Sequence, residues 1–186
     1  MAKLAEQYVV EMLNRDRFAT IQGVRQGVHE WDILAIRVST GVIEARHLEV
    51  QVSYDPVSYL SNRNARQRSD DELRTEMGAW MEKKFTGQKV AAVRGGFYTG
   101  QWKYELVHGE LADQRELHYL NLAGVTTHYF PALVQQLCAT HPRQAPFVAA
   151  GKDAVEIVRN LLCVQAFRPP DISPSPPTVP SSRSGI

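Results

Sequence analysis

The sequence predicts a mixed α/β domain in which helices flank a central β-sheet. Three observations predict this class. Residues 29–54 alternate in side-chain character as a β-hairpin does, and an amphipathic helical pattern precedes them. Further helical and strand-like segments alternate after them. The chain has 186 residues, 44% of them hydrophobic and 22% charged, which is typical of one globular domain with a sizeable core.

The hairpin at residues 29–54 is the centre of the predicted fold. Thr40 and Gly41 form a plausible two-residue turn, because glycine adopts the positive φ that tight hairpins need. The arms at 31–38 and 42–53 are rich in β-branched residues. Since side chains alternate between faces along a strand, the second arm puts its polar residues on one face and its apolar residues on the other. The polar set is His47, Glu49, Gln51 and Ser53, and the apolar set is Leu48, Val50 and Val52.

The register of this hairpin brings two acids together. If Ser39 pairs with Val42, then Asp32 lies directly opposite Glu49 on the same face. Their Cβ atoms would be about 5 Å apart. Two carboxylates held so close repel each other unless a proton or a cation lies between them. The spacing therefore predicts a metal site.

The pattern of Asp32 followed by Glu49-Val50-Gln51 resembles the motif of the PD-(D/E)XK nuclease superfamily. The resemblance implies a restriction-endonuclease-like core of order αβββαβ, and Mg²⁺-dependent hydrolysis of DNA, with Mn²⁺ able to substitute. It implies that Asp32, Glu49 and the backbone carbonyl of Val50 bind the metal. Gln51 occupies the position that is usually lysine and would orient the attacking water, although an amide cannot act as a base.

The chain leaves alternatives to this nuclease open. A protein of the same fold that lost catalysis with the change to Gln51 would bind nucleic acid or serve as an assembly module. An unrelated α/β protein would carry Asp32 and Glu49 on a solvated face. A salt bridge from Arg37 or Arg46 to these acids would favour the unrelated protein, whereas a basic groove beside them would favour the enzyme.

The first helix is predicted from apolar residues at helical spacing, which are Leu4, Ala5, Tyr8, Val9, Met12 and Leu13. Glu6 lies at the edge of this stripe. The resemblance implies that Glu6 joins the catalytic metal cluster, and the alternative is an ordinary flanking charge. His47, on the same strand face as Glu49, either assists proton transfer or is a packed or solvated histidine.

Glycines and capping residues predict the segments on either side of the hairpin. Residues 18–28 predict an edge strand with bends at its two glycines, and residues 54–68 predict a loop. Ser69 and Glu72 match a capping box, which predicts a helix to about Phe85 that is stopped by Gly87. Its predicted buried residues are Leu73, Met77, Trp80 and Met81.

The apolar run at residues 90–93 predicts a strand over 89–94, buried on both faces. This strand would complete the core order helix, three strands, helix, strand within residues 2–95. The remainder, 96–167, predicts a βαβαα extension of the same domain. Its strands are expected at 103–108 and 125–130, and its helices at 112–123, 131–140 and 152–164. Residues 168–186 are rich in Pro and Ser and predict a disordered tail.

A local basic surface is expected beside the acids, because the net charge of +1 gives no overall attraction to nucleic acid. The candidate DNA contacts are Arg63, Arg66, Arg68, Lys83 and Lys84. A solvated loop is the alternative for the arginines, since three acids follow them. Cutting both strands of a duplex with one site per chain would suggest a homodimer.

The cysteines and the hydropathy pattern bear on location. Cys138 and Cys163 are isolated and suit reduced thiols in a cytoplasmic protein. No apolar run approaches 18 residues, so no membrane span is expected.

Overall fold

A five-stranded mixed sheet flanked by helices forms the fold, in a computed structural model that describes residues 2–26, 29–52, 60 and 68–140. The strands are β1 (Ala19–Gln26), β2 (His29–Ser39), β3 (Val42–Gln51), β4 (Trp102–His108) and β5 (Val125–Tyr129), and they lie in this order across the sheet. Strands β1 to β3 are antiparallel neighbours. Strands β4 and β5 run parallel to β3, which places β3 at the junction of the two halves.

The helices are α1 (Ala2–Arg15), α2 (Asp70–Met81), α3 (Gln88–Gly95), α4 (Arg115–Leu122) and α5 (Phe130–Thr140). A π-helical turn, Glu82–Thr86, joins α2 to α3. A capping box begins α2 as predicted: the Ser69 hydroxyl accepts from the Glu72 amide, and the Glu72 carboxylate accepts from the Ser69 amide. The four residues predicted to be buried on α2 are buried.

The predicted hairpin is confirmed, including its register. Ser39 pairs with Val42, and the pairing continues to Ile33 with Leu48. Thr40 and Gly41 both have positive φ, 48° and 79°, as a tight turn between twisted strands requires. This register directs Asp32 and Glu49 to the same face of the sheet.

Two apolar layers cover the two faces of the sheet. Apolar side chains of α1 and α5 pack on the face formed by Ile33, Leu48, Val50 and Val107. Side chains of α2, the π turn and α4 pack on the opposite face around Leu106. We call this second face the site face, because Asp32, His47 and Glu49 belong to it. Helices on both faces bury β3 continuously over residues 47–50.

The predicted strand over 89–94 is wrong, because these residues form α3. Val90 and Arg94 are buried while Ala91 is exposed, as expected of two inward positions one helical turn apart. A short apolar run does not distinguish a strand from a helix by its periodicity. The fourth strand in chain order is β4, so the order helix, three strands, helix, strand extends to residue 108 and not to residue 95.

The second half otherwise follows the predicted order of β4, α4, β5 and α5. Helix α4 ends before Gly124, whose φ of 85° suits a glycine at this position. The predicted helix at 152–164 and the predicted tail at 168–186 lie outside the described residues, as does most of the predicted loop at 54–68. None of the helices within the described ranges is long and apolar enough to cross a membrane.

Candidate functional site

Asp32 and Glu49 lie side by side on neighbouring strands of the site face. The Asp32 carboxylate accepts a hydrogen bond of 2.7 Å from the Val50 amide, which fixes it against β3. Glu49 is fully buried and receives hydrogen bonds from the backbone and the side chain of Asp32. Asp32 is half-buried. The two carboxyl groups predicted from the hairpin register are therefore brought together.

Burial makes both acids difficult to ionise. It raises the pKa of Asp32 to about 6, and the charge of Glu49 adds to this shift. It raises the pKa of Glu49 to about 7, although Lys84 and hydrogen bonds from Asp32 oppose the increase. Near neutral pH the pair therefore holds protons that separate carboxylates would release. A cation placed between the two groups would relieve the same repulsion.

The π-helical turn brings Lys84 to this pair. The Lys84 ammonium donates a hydrogen bond to Glu49 Oε2. The Gly87 amide closes the turn by donating 2.7 Å to the Glu82 carbonyl, and a Cβ at Gly87 would lie only 2.6 Å from that carbonyl oxygen. Gly87 therefore permits the π turn that directs Lys84 toward the sheet. Single π-helical turns within helices are frequent at functional sites.

His47 forms the buried floor of the site. Its Nε2 lies 3.4 Å from Glu49 Oε1, and its Nδ1 lies 3.2 Å from Arg94 Nη1. The ring packs edge-on against Phe85 at 4.8 Å between centroids. Burial lowers the pKa of His47 to about 3, and the charges of Arg94 and Lys84 add to this effect. The packed histidine, one of the alternatives from the sequence, is the one observed, and His47 is not exposed for proton exchange with solvent.

The other residues implied by the motif are Gln51, Val50 and Glu6, and their positions do not establish a role in metal binding. Gln51 is half-buried, two residues beyond Glu49 on the same face. Val50 is buried, and its amide serves Asp32. Glu6 is half-buried on α1, which packs on the face opposite the acids, and its role as a ligand stays a prediction.

The acid pair is a two-carboxylate site. In the part of the chain that the structure describes, no group of three or more His, Cys, Asp or Glu side chains is arranged to hold a metal ion. Mg²⁺ requires fewer protein ligands than this, because it keeps several waters and commonly binds through one or two carboxylates together with substrate phosphate.

The residues of the predicted basic surface differ in burial and partners where the structure describes them. Arg68 is buried and forms ion pairs with Glu116 at 2.8 Å and Glu76 at 2.6 Å, so its assignment to DNA binding is corrected to a structural role. Glu76 of α2 and Glu116 of α4 lie close together near the start of α2, and Arg68 is buried between them. Lys84 is half-buried and donates to Glu49, so it belongs to the acid site and not to an exposed basic surface, and its contact with DNA stays a prediction. Lys83 is exposed, whereas Arg63 and Arg66 lie outside the described residues.

Arg37 and Arg46 are the arginines whose salt bridges to Asp32 or Glu49 would favour the unrelated α/β protein. Both form ion pairs with Glu44, at 2.6 and 2.8 Å, and Arg46 also approaches Glu105. Their ion pairs thus involve acids other than Asp32 and Glu49. Neither arginine therefore forms the salt bridge that would favour an unrelated protein with solvated hairpin acids.

Sequence reasoning missed the contact between Lys84 and Glu49. A signal was present, because Lys84 follows the buried residues Met77, Trp80 and Met81 at spacings of seven, four and three. Such spacing places a residue on the buried stripe of a helix. A lysine on that stripe indicates a buried acidic partner, although it does not identify the partner.

Comparisons with known proteins identify no family. No protein-family model matches the chain, and no curated protein matches it. Among solved structures, the chain is similar to a crystal structure described as a protein of unknown function, AF1548, with 15% identity and a TM-score of 0.41. The similarity covers 86% of this chain and 79% of that one. A likeness of this strength carries no argument about function.

Proposed function

We propose that this chain is a metal-dependent nuclease that hydrolyses phosphodiester bonds in DNA. The observation that supports this function is the pairing of Asp32 and Glu49 on one sheet face with the Lys84 ammonium held against Glu49. The order of helix, three antiparallel strands, helices and a parallel strand also suits a restriction-endonuclease-like core.

The donor set fits a hard divalent cation. Asp32 and Glu49 supply carboxylate oxygens. Burial raises the pKa of both groups, the charge of Glu49 raises that of Asp32 further, and a bound cation would stabilise both ionised forms. Together with the Val50 carbonyl, they would hold Mg²⁺ or Mn²⁺. The bound ion would supply a Lewis acid for the phosphate and a water of lowered pKa.

Lys84 provides the positive charge that Gln51 cannot. An ammonium is a compact donor that stabilises negative charge on a phosphate oxygen. Gln51 extends from the same face and can orient a water through its amide, but it cannot accept a proton at neutral pH. The two residues therefore divide a role that the motif usually gives to one lysine.

The same ion pair favours one alternative. An ammonium that neutralises Glu49 also stabilises the buried carboxylate without a metal. A nuclease-fold protein that has lost catalysis and binds nucleic acid or assembles with other proteins would retain this contact. The two functions differ in whether DNA is cut and whether metal is needed.

Cleavage of plasmid and short branched DNA with Mg²⁺ or Mn²⁺ tests the proposal. Wild type is compared with the isosteric variants Asp32→Asn and Glu49→Gln, and with Glu30→Gln as an exposed acid two residues from Asp32 on the same strand. Metal-dependent cutting that is lost in the first two variants and kept in the third supports the nuclease. An inert wild type that binds DNA equally with and without metal rejects the nuclease and supports the alternative.

A further inference from the structure

Arg94, His47 and Glu49 form a continuous polar chain beneath the site. All three are buried, with exposed fractions of 6%, 0% and 0%. Arg94 lies on α3, and its Nη1 donates 2.5 Å to the Phe85 carbonyl in the π turn, while its Nη2 donates 3.2 Å to the Tyr104 hydroxyl. The same Nη1 also lies 3.2 Å from His47 Nδ1. The guanidinium is therefore held in place from two sides.

The chemistry of these groups determines where the imidazole proton lies. An arginine guanidinium has only donors and stays protonated. A nitrogen that it approaches within hydrogen-bond distance must therefore present a lone pair, so His47 Nδ1 is unprotonated. The neutral imidazole then carries its proton on Nε2, which faces Glu49 Oε1 at 3.4 Å.

We propose that Arg94 and His47 are positioning residues that orient the Glu49 carboxylate for cation binding. Arg94 fixes the tautomer of His47, and the His47 Nε2–H donates to Glu49 Oε1. Lys84 binds the other oxygen, Oε2, so the carboxylate is held at both oxygens. The part of this inference that concerns the cation rests on the proposed function, whereas the tautomer does not.

The arrangement also connects the π turn to the acid. Arg94 binds the backbone of Phe85, the residue after Lys84, and reaches Glu49 through the imidazole. Lys84 reaches the same carboxylate directly. The π turn and α3 thus position Glu49 in two ways, directly through Lys84 and indirectly through Arg94 and His47. Groups that hydrogen-bond to ligating side chains typically change metal affinity or activity by about 10- to 100-fold when removed.

Long-range ¹H–¹⁵N NMR on histidine-labelled full-length protein tests the tautomer without any assay of activity. We expect His47 to appear as the neutral Nε2–H form. In Arg94→Met, which removes the donor to Nδ1, we expect a mixture of tautomers, and in Tyr104→Phe, which keeps Arg94, the wild-type form. An Nδ1–H tautomer or an imidazolium in the wild type at pH 7 would overturn the inference.

Mn²⁺ titration calorimetry tests the positioning role. His47→Leu removes the donor to Glu49, whereas His47→Gln keeps an amide donor of similar reach. We expect His47→Leu to weaken Mn²⁺ binding about 10- to 100-fold and His47→Gln to stay within about threefold of wild type. Thermal unfolding of both variants verifies that they fold.

The outcomes separate this inference from the nuclease proposal. Mn²⁺ binding that depends on Glu49 but is unaffected in His47→Leu overturns the inference even if DNA is cut. Mn²⁺ binding that weakens in His47→Leu and recovers in His47→Gln supports it even if DNA is not cut, in which case only the nuclease proposal fails. A wild type that binds no Mn²⁺ overturns the nuclease proposal and the cation-orienting role of His47 together, whereas the tautomer is decided by the NMR experiment alone.

Discussion

The ammonium of Lys84 meets the carboxylate of Glu49 across 35 residues of sequence, from the π turn to the middle of the sheet. The two groups are unequally buried, with 19% of the Lys84 side chain exposed and none of Glu49. A buried carboxylate needs such a partner, because an isolated charge in the interior is costly. The contact also places a positive charge beside the acid pair. This charge comes from the π turn, because the position on β3 that is usually lysine in the motif is Gln51 here.

Replacement of Lys84 by Met tests whether its ammonium takes part in catalysis. If Lys84 stabilises charge on the phosphate, Lys84→Met lowers the rate of DNA cleavage about 100-fold or more. Lys83→Met is the matched control, because Lys83 precedes it in the same turn and is exposed. We expect the control to change cleavage less than about threefold, measured as kcat/KM on one defined duplex. Equal losses in both variants would show that Lys84 acts only through overall charge.

The π turn itself can be tested through its glycine. A Cβ at Gly87 would lie 2.6 Å from the Glu82 carbonyl oxygen, a backbone atom that cannot move aside without opening the turn. Gly87→Ala should therefore destabilise the protein by about 1 to 3 kcal/mol. It should also displace Lys84 and reduce DNA cleavage.

Gly78→Ala is the control for Gly87→Ala. Gly78 lies within α2, and a Cβ there meets nothing within 4 Å. Alanine in an open helical position should stabilise by about 0.5 to 1 kcal/mol, because glycine loses more backbone entropy on folding. Urea unfolding of the two variants would give opposite signs. A stabilised Gly87→Ala would contradict the packing described for this turn.

The hairpin and its acid pair could be predicted because their determinants are local. Ser39 and Val42 are separated only by the turn, and the alternation of faces then carries the register to Asp32 and Glu49. The capping box of α2 is local in the same way, since Ser69 and Glu72 are three residues apart. Short-range rules suffice for such features.

The rest of the site depends on contacts that local patterns do not encode. The run at 90–93 fits a strand or a helix equally well, and tertiary packing of Val90 and Arg94 decides for the helix. Arg68 follows polar residues and precedes acids, so its burial against Glu116, 48 residues away, has no local signal. The partners of Lys84 and Arg94 on β3, Glu49 and His47, are also far away in sequence, at 35 and 47 residues.

The structural role of Arg68 predicts a loss of stability and not of DNA affinity. Arg68→Met would remove the guanidinium that pairs with buried Glu116, although the Leu60 amide also donates to Glu116 at 3.0 Å. Breaking a buried ion pair from one side typically costs about 3 to 5 kcal/mol. We expect a lower midpoint of urea unfolding, and an unchanged salt dependence of DNA binding below that midpoint. A reduced salt slope without destabilisation would restore Arg68 to the DNA surface.

The raised pKa values of the acid pair predict that the contribution of Asp32 and Glu49 to stability falls as pH increases. Between pH 3.8 and about 6 at Asp32, and between pH 4.5 and about 7 at Glu49, the folded state holds protons that the unfolded state releases. The contribution of the pair to the free energy of unfolding therefore falls as pH rises through these windows, whereas buried His47, whose pKa is lowered to about 3, contributes with the opposite sign. Asp32→Asn removes one of the titrating groups. It should match wild type near pH 4 and be more stable by about 1 to 2 kcal/mol above pH 7, allowing for solvent at a half-buried group.

Glu44→Gln provides the control of opposite sign. Hydrogen bonds from Lys103, Arg37 and Arg46 lower the pKa of Glu44 to about 2, with the Lys103 bond having the largest effect. The stability that ionised Glu44 contributes is present above pH 4.5 and is lost as pH falls toward 2. Glu44→Gln should therefore be less stable than wild type at pH 7 and approach it in acid. Unfolding free energies are measured across pH 3 to 8. At pH 7, a shift of both variants in the same direction relative to wild type would contradict one of the two assignments.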